Sequence, residues 1–290
     1  MRGIVISFLL LFSLSAQGQF VIDSYRFGAA AGLLLDDYPT ASAAYSLRLL
    51  RTAYTGDAIM VRRSSNNDSL AIGFSGGVLD TAAMKTFCNS TNCFVRVWYD
   101  QSGNGNDLRQ TTNANQPKIQ DSIAGVLREN LQVRMDFDGT NDFFQRSFTI
   151  GSTLTRFIVF RDDGPQNNTK ILFDDGATFD RAYLNSTTVN TIRIITGNTS
   201  LVFSGSVPNN TQYLTYNLFA GASSAINING ATPTTGTLNS VTYSGITIGM
   251  RQNTGFNANM RLQEVILYPS NQSSNRAAIE TNINNFYSIY

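Results

Sequence analysis

Carboxylates are the side chains of this sequence best suited to chemistry, because its 290 residues include 20 Asp and Glu but no histidine. The lack of histidine rules out Ser-His-Asp and Cys-His catalysis and histidine-ligated zinc. Two short segments concentrate carboxylates, Asp136-Phe137-Asp138-Gly139 and Asp174-Asp175-Gly176. Their oxygens could bind calcium, although Asp-Gly is also ordinary turn chemistry and strand alternation alone puts Asp136 and Asp138 on one face. Asp136 and Asp138 are therefore candidate metal ligands, with calcium possible and no cofactor required.

A second candidate site follows residues 94–99, which are rich in aromatic and β-branched side chains and predict a buried strand. Residues 100–106 (DQSGNGN) cannot continue that strand, because their glycines and asparagines supply the positive-φ positions of tight turns. Two interpretations stay open, a structural hairpin and a ligand-binding loop with Asp100, Gln101 and Asn104 as contacts. For Asp100 the pattern favours a structural role, in which the carboxylate accepts hydrogen bonds from amides of the loop.

The N-terminus predicts export. Residues 1–18 combine the charged Arg2, an apolar core too short to span a bilayer and small residues before a cleavage point, so we expect 19–290 as the mature chain. No later apolar run is long enough for a membrane span. Without Arg2, the 21 basic residues become 20 and balance the 20 acidic ones, and the lack of a basic block argues against nucleic acid. Two cysteines, Cys88 and Cys93, favour a disulfide in an exported chain.

The rest of the sequence predicts a single all-β domain over residues 19–290. Many short apolar segments, separated by turn clusters such as Asn229-Gly230, indicate an antiparallel sandwich. A first strand is predicted at residues 20–27 and a long polar excursion at 109–130. Apolar stripes with the 3.6-residue period predict a few short helices. These helices are expected at residues 43–54, at residues 80–87 and at the C-terminus after Ser273 or Ser274.

Three segments resemble the catalytic domain of the α-L-arabinofuranosidase B family: AYS at 44–46, GGVLDTAAMKTFCNSTNC at 76–93 and YDQSGNGN at 99–106. FDGTNDFF at 137–144 and residues 261–290 are similar to concanavalin A-like (LamG-type) lectin sandwiches. The resemblance implies a jelly-roll sandwich of two antiparallel sheets with Cys88 and Cys93 joined. It also implies that the partner is a polysaccharide or another glycan.

The family's catalytic carboxylates are not matched in this chain. Thr199, in ITGNTSLVFSG at 195–205, stands where the resemblance places the nucleophile, and Arg251 stands where it places the acid/base. Retaining glycosidases need two carboxyl groups about 5 Å apart, and neither threonine nor arginine can fill those roles. Glu264, on a predicted strand, and Asp174, on a turn, are the carboxylates that could substitute.

We therefore expect an exported carbohydrate-binding or adhesion module, in which Asp174 and Asp175 join the loop residues as ligand contacts. One alternative is an active α-L-arabinofuranosidase with relocated carboxylates. Another is a structural component of a cell surface or virion. Glycan binding, arabinoside turnover and high-order assembly distinguish the three.

Overall fold

The computed structural model describes residues 32–164, 170–175, 181–184, 190–251 and 255–290. The predicted export signal and the predicted first strand at 20–27 lie outside these ranges. The α-helices of the described residues are α1 (Leu34–Asp37), α2 (Thr81–Cys88) and α3 (Arg276–Tyr287). Their strands, in chain order, are β1 (Ala43–Ser46), β2 (Ile59–Arg63), β3 (Ser69–Ile72), β4 (Phe74–Ser75), β5 (Val78–Leu79), β6 (Cys93–Trp98), β7 (Leu108–Arg109), β8 (Lys118–Asp121), β9 (Gly125–Val126), β10 (Arg128–Glu129), β11 (Gln132–Val133), β12 (Met135–Asp138), β13 (Phe144–Gly151), β14 (Leu154–Asp162), β15 (Lys170–Asp174), β16 (Arg181–Leu184), β17 (Ile192–Thr196), β18 (Thr199–Val202), β19 (Gln212–Phe219), β20 (Ser224–Ile228), β21 (Thr234–Gly236), β22 (Tyr243–Ile248) and β23 (Asn259–Tyr268).

Nineteen of these strands form one curled antiparallel sheet that folds into two layers, while β4 pairs with β5 and β10 with β11 in two small separate sheets. In the first layer, β23 pairs along one edge with β14, and the ladder continues through β19 and β20 to β21. The other edge of β23 pairs with β12 and β1. The second layer runs β3–β2–β6–β7–β13–β22–β15–β16–β17–β18. β8 pairs with both β6 and β12, so it joins the two layers.

Strand alternation divides the apolar residues between two cores. Along β14, Ile158 and Phe160 face the main core between the layers. Phe157 and Val159 point the other way, into a second core beneath α1 and α3. This period of two is the one expected for a strand buried on both faces. The predicted all-β sandwich is confirmed, as is the C-terminal helix, which packs Ile279 and Ile283 against its outer face.

The helix predicted over residues 43–54 is wrong. Ala43–Ser46 instead forms β1, in which all four residues are buried and paired with β23. The apolar spacing matched a helical stripe, but a strand partner more than 200 positions away in sequence supplies the backbone hydrogen bonds. The polar stretch predicted at 109–130 contains three short strands, β8, β9 and β10.

Other local predictions are confirmed. Helix α2 begins after Asp80, whose carboxylate accepts hydrogen bonds from the amides of Ala82 and Ala83. Cys88 at its end is disulfide-bonded to Cys93 at the start of β6, and both residues are buried. Asn229 and Gly230 have positive φ values of 51° and 68°, and the Ala231 amide closes the turn on Ile228. None of the helices in the described ranges has the length and apolar character needed to cross a membrane.

Candidate functional site

The loop after β6 is held by Asp100. Its carboxylate accepts four hydrogen bonds: 2.9 Å from the Ala44 amide, 2.9 Å from the Ser102 amide, 2.7 Å from the Ser102 hydroxyl and 3.0 Å from the Asn106 amide. The residue is only 4% exposed. Asp100 therefore fastens the loop to β1, in the structural role that the sequence favoured.

Two further loop residues predicted to contact a ligand are also used inside the protein. Gln101 is completely buried, donating to the carbonyls of Ser46 and Arg48 and accepting from the Leu50 amide. It has no surface to offer a ligand, so its predicted contact role is corrected to a structural one. Asn104 is exposed, but its side-chain amide donates to the carbonyls of Ala41 and Ser42.

Thr199 begins β18 at the tight turn that follows β17. Its hydroxyl donates to the Thr196 carbonyl at 2.9 Å and accepts from the Asn239 amide at 2.8 Å. Arg251 follows β22 and places its guanidinium carbon 5.9 Å from the centre of the Phe256 ring. Both side chains have roles within the fold, and neither can act as a carboxyl group.

Glu264 lies in the middle of β23 and is 1% exposed. Arg48 binds it with two parallel hydrogen bonds, of 2.8 and 3.0 Å, and the hydroxyls of Ser46 and Tyr287 add contacts at 2.7 and 3.1 Å. Such a bidentate, fully enclosed pair is a structural arrangement. The structure therefore places this substitute carboxylate away from any surface that a substrate could reach.

Asp174 and Asp175 are both 2% exposed at the end of β15. The Asp175 amide donates to Asp174 at 3.0 Å, and the Ser244 amide donates to Asp175 at 2.9 Å. The Asp175 carboxylate therefore links the end of β15 to β22, and the Asp174 carboxylate caps the amide that follows it.

A polar cleft of about 680 Å³ opens where β8 joins the two layers. Its wall contains Asp136, Asp138 and Lys118, side chains from β12 and β8, together with Asp142 from the turn that follows. Asp138 accepts hydrogen bonds from the amides of Thr140 and Asn141. In the described part of the chain no three Asp, Glu, Cys or His side chains converge to hold a metal ion. Calcium binding by Asp136 and Asp138 stays a prediction.

Sequence reasoning missed Asp142. The residue is 6% exposed, and its carboxyl accepts a 2.9 Å hydrogen bond from the Asp138 amide. Burial raises the pKa of Asp142 to about 7; repulsion from Asp138 adds to the rise, while the amide bond and Lys118 oppose it. The sequence held one weak signal of this burial. Asp142 stands two positions before Phe144, which is apolar and is the fully buried first residue of β13.

Part of the sequence is similar to known α-L-arabinofuranosidases. Residues 36–143 match the family model for the catalytic domain of α-L-arabinofuranosidase B. The α-L-arabinofuranosidase B of Emericella nidulans is 37% identical over 95 residues, which are 31% of this chain and 19% of that protein. An arabinofuranosidase/β-xylosidase of Trichoderma koningii is 42% identical over 73 residues, 25% of this chain and 15% of its own length. The matched segment thus spans less than a fifth of these relatives.

Solved structures extend the similarity to the rest of the fold. A GH54 α-L-arabinofuranosidase soaked with a cyclic sulfate inhibitor superposes with a TM-score of 0.69 at 18% identity, over 89% of this chain and 65% of that one. An arabinofuranosidase complexed with arabinofuranosyl-α-1,2-xylobiose gives 0.68 at 19% identity, over 89% and 64%. At this identity the likeness is one of fold.

Fold and sequence together define a β-sandwich protein similar to α-L-arabinofuranosidases. More particularly, the chain is arabinofuranosidase-like, with similarity in sequence at 36–143 and similarity in fold beyond.

Proposed function

We propose that the protein is an exported carbohydrate-binding domain on an arabinofuranosidase-like sandwich that does not hydrolyse its ligand. The observation that carries the proposal is the pair of side chains at the family's catalytic positions, Thr199 and Arg251. A retaining glycosidase needs a nucleophile and a proton donor at those positions, and both must be carboxyl groups. The hydrogen bonds of the Thr199 hydroxyl within its hairpin support the same view.

The settings of the other carboxylates also support a binding function. Glu264 is enclosed by protein and paired with Arg48, so a glycoside cannot contact it. Asp174 and Asp175 are buried at a strand end and accept backbone amides. Neither setting resembles the open carboxylate pair that glycoside hydrolysis requires.

The proposal is tested by measuring glycan binding and hydrolysis with one preparation of the mature chain. We expect retardation in affinity gels containing arabinoxylan or another plant, algal or bacterial polysaccharide, with and without calcium. We also expect no release of 4-nitrophenol from 4-nitrophenyl α-L-arabinofuranoside above the blank. Failure to bind any of these glycans would overturn the proposal.

Export through residues 1–18 is part of the proposal and has its own test. We expect protein recovered outside the cell to begin at Gln19, as read by N-terminal sequencing. Material that retains Met1 in the cytoplasmic fraction would contradict export.

An active glycosidase is the second candidate function, and one observation favours it. Asp142 lies in the cleft wall with a pKa of about 7, which suits a general acid near neutral pH, and Asp138 lies beside it. In this alternative Asp142 protonates the leaving oxygen while Asp138 supplies the second carboxylate.

Hydrolysis of the aryl arabinoside decides between the two functions. The glycosidase alternative requires turnover that falls by at least about 100-fold in Asp142→Asn, because that side chain cannot deliver a proton. Exposed Asp36, which bonds Thr52 and does not line the cleft, provides the matched control Asp36→Asn. Turnover lost in Asp142→Asn and kept in the control would replace the binding proposal.

A further inference from the structure

The cleft at the junction of the layers is large enough for a sugar. Its volume of about 680 Å³ falls within the range of small-molecule sites, roughly 300–1,000 Å³. Backbone pairing sets three of its side chains in one row on the outer face, because Phe94 pairs with Lys118 and Lys118 with Asp136. Rigid strands therefore present this row, as in preorganised binding sites.

Most of the charge in this cleft is already neutralised. Asp136 pairs with Arg134 at 2.6 Å, Asp121 with Lys118 at 3.2 Å, and Asp163 with Arg161 at 2.6 Å. Arg261 makes a second ion pair with Asp163. Five aspartates therefore do not amount to a strongly negative site.

Of the cleft aspartates in the described ranges, Asp138 and Asp142 take part in no ion pair, and Asp142 is the buried one of the two. It is more than nine-tenths buried, and one of its oxygens accepts the Asp138 amide. No other hydrogen bond reaches this carboxyl from the part of the chain that the structure describes. A buried polar group with unused hydrogen-bonding capacity lowers the stability of the fold unless a ligand or a water molecule supplies the missing hydrogen bond.

We propose that this cleft is the carbohydrate site of the protein and takes a neutral sugar ring, with the Asp142 carboxyl hydrogen-bonded to a ring hydroxyl. This inference rests on the proposed carbohydrate-binding function and adds its location and ligand class. The ion pairs favour an uncharged polyol, because a metal ion or a sugar acid would have to disrupt them. Half-buried Asn259 on β23 lines the same wall and supplies an amide for a second hydroxyl.

The cleft differs in place from the family's catalytic positions. Neither Thr199 nor Arg251 lines it. The wall instead comes from β6, β8, β12, the start of β23 and the connecting segments that carry Ala114 and Asp142. A sugar bound here would lie against a different set of side chains from those that the resemblance assigns to catalysis.

The test measures affinity for arabinofuranosyl-xylobiose and for arabinoxylan by titration calorimetry, using the full mature chain and four variants. Asp142→Ala and Asn259→Ala each remove one proposed sugar contact. Ala114→Trp places a large side chain at the cleft wall, where Ala114 is exposed. Ala278→Trp, on the exposed face of α3, is its matched control.

We expect Asn259→Ala to weaken binding roughly tenfold and Ala114→Trp to weaken it at least about tenfold, whereas Ala278→Trp should stay within about twofold. If Asp142→Ala fails to fold, Ala114→Trp still decides. If Ala114→Trp and Asn259→Ala both bind the glycans with the affinity of the wild type, the proposed location is wrong, and the proposed carbohydrate-binding function still stands. A wild-type protein that binds neither probe nor any other glycan would overturn both.

Discussion

The two halves of this chain relate to the arabinofuranosidase B family in different ways. Residues 36–143 match the family in sequence, and they contain the disulfide, α2 and the Asp100 loop. Residues 144–290 share the fold, but the match in sequence ends before Thr199 and Arg251. The sequence likeness therefore does not extend to Thr199 and Arg251, the two positions that the resemblance assigns to catalysis. A family resemblance concentrated in one half says little about chemistry performed by the other.

The largest effect is expected where the two halves meet, at the Arg48–Glu264 pair. Glu264→Gln should lower the free energy of unfolding by about 3–5 kcal/mol, because it leaves the buried Arg48 guanidinium without its counter-charge. Urea denaturation followed by tryptophan fluorescence measures this loss. If Glu264 were instead a catalytic carboxylate, Glu264→Gln would keep the stability of the wild type and lose turnover. That result would contradict the contrast drawn between the two halves.

Two controls sharpen this experiment. The double variant Arg48→Met with Glu264→Leu should recover much of the lost stability, since replacing both buried charges removes the unpaired one. Asp68→Asn, in the exposed Arg63–Asp68 pair, should leave the unfolding midpoint unchanged.

The next effect concerns the loop that the first half shares with the family. Asp100→Ala should destabilise the protein by about 2–4 kcal/mol, because the amides of Ala44, Ser102 and Asn106 lose their acceptor. Hydrogen exchange should accelerate at those amides in particular. Asp100→Asn keeps one acceptor oxygen and should fall between Asp100→Ala and wild type. A loop variant that loses glycan affinity without losing stability would instead make Asp100 a ligand contact.

A smaller effect should appear as pH changes, through one carboxyl in each half. Burial raises the pKa of Asp142 and the pKa of Glu280 to about 7 in the folded protein. Between about pH 4 and pH 7 the folded state therefore holds protons that the unfolded chain has released, so stability falls as pH rises through that window. The loss is complete above about pH 7.

Amide variants should remove this loss. Asp142→Asn and Glu280→Gln should each be more stable than wild type at about pH 8 by about 1 kcal/mol, and should gain nothing at about pH 4. Thermal melts across that range measure the difference. An equal gain at both pH values would indicate altered packing rather than relief of ionisation.

Physical reasons separate what the sequence predicted from what it did not. The strand predicted at 94–99, the helix predicted at 80–87 and the Asn229-Gly230 turn depend on neighbours in sequence, so local patterns predicted them. The helix predicted over the residues of β1 was wrong because β1 pairs with β23, which is distant in sequence. The burial of Asp142 likewise depends on packing among strands far apart in the chain, which no local pattern records.

The smallest effect is expected in the second half, at Thr199 and Arg251, which the resemblance assigns to catalysis. Thr199→Ala removes a hydroxyl that, among the described residues, is hydrogen-bonded to Thr196 and Asn239, so it should cost about 1 kcal/mol of stability. Arabinoside turnover should remain at the blank, and glycan affinity should stay within about twofold in both Thr199→Ala and Arg251→Ala. The reason is chemical: retaining glycosidases use two carboxyl groups, and under the proposed binding function neither Thr199 nor Arg251 replaces one. Wild-type turnover that either substitution abolished would mean that the second half had kept its chemistry with other residues, and the contrast between the halves would fail.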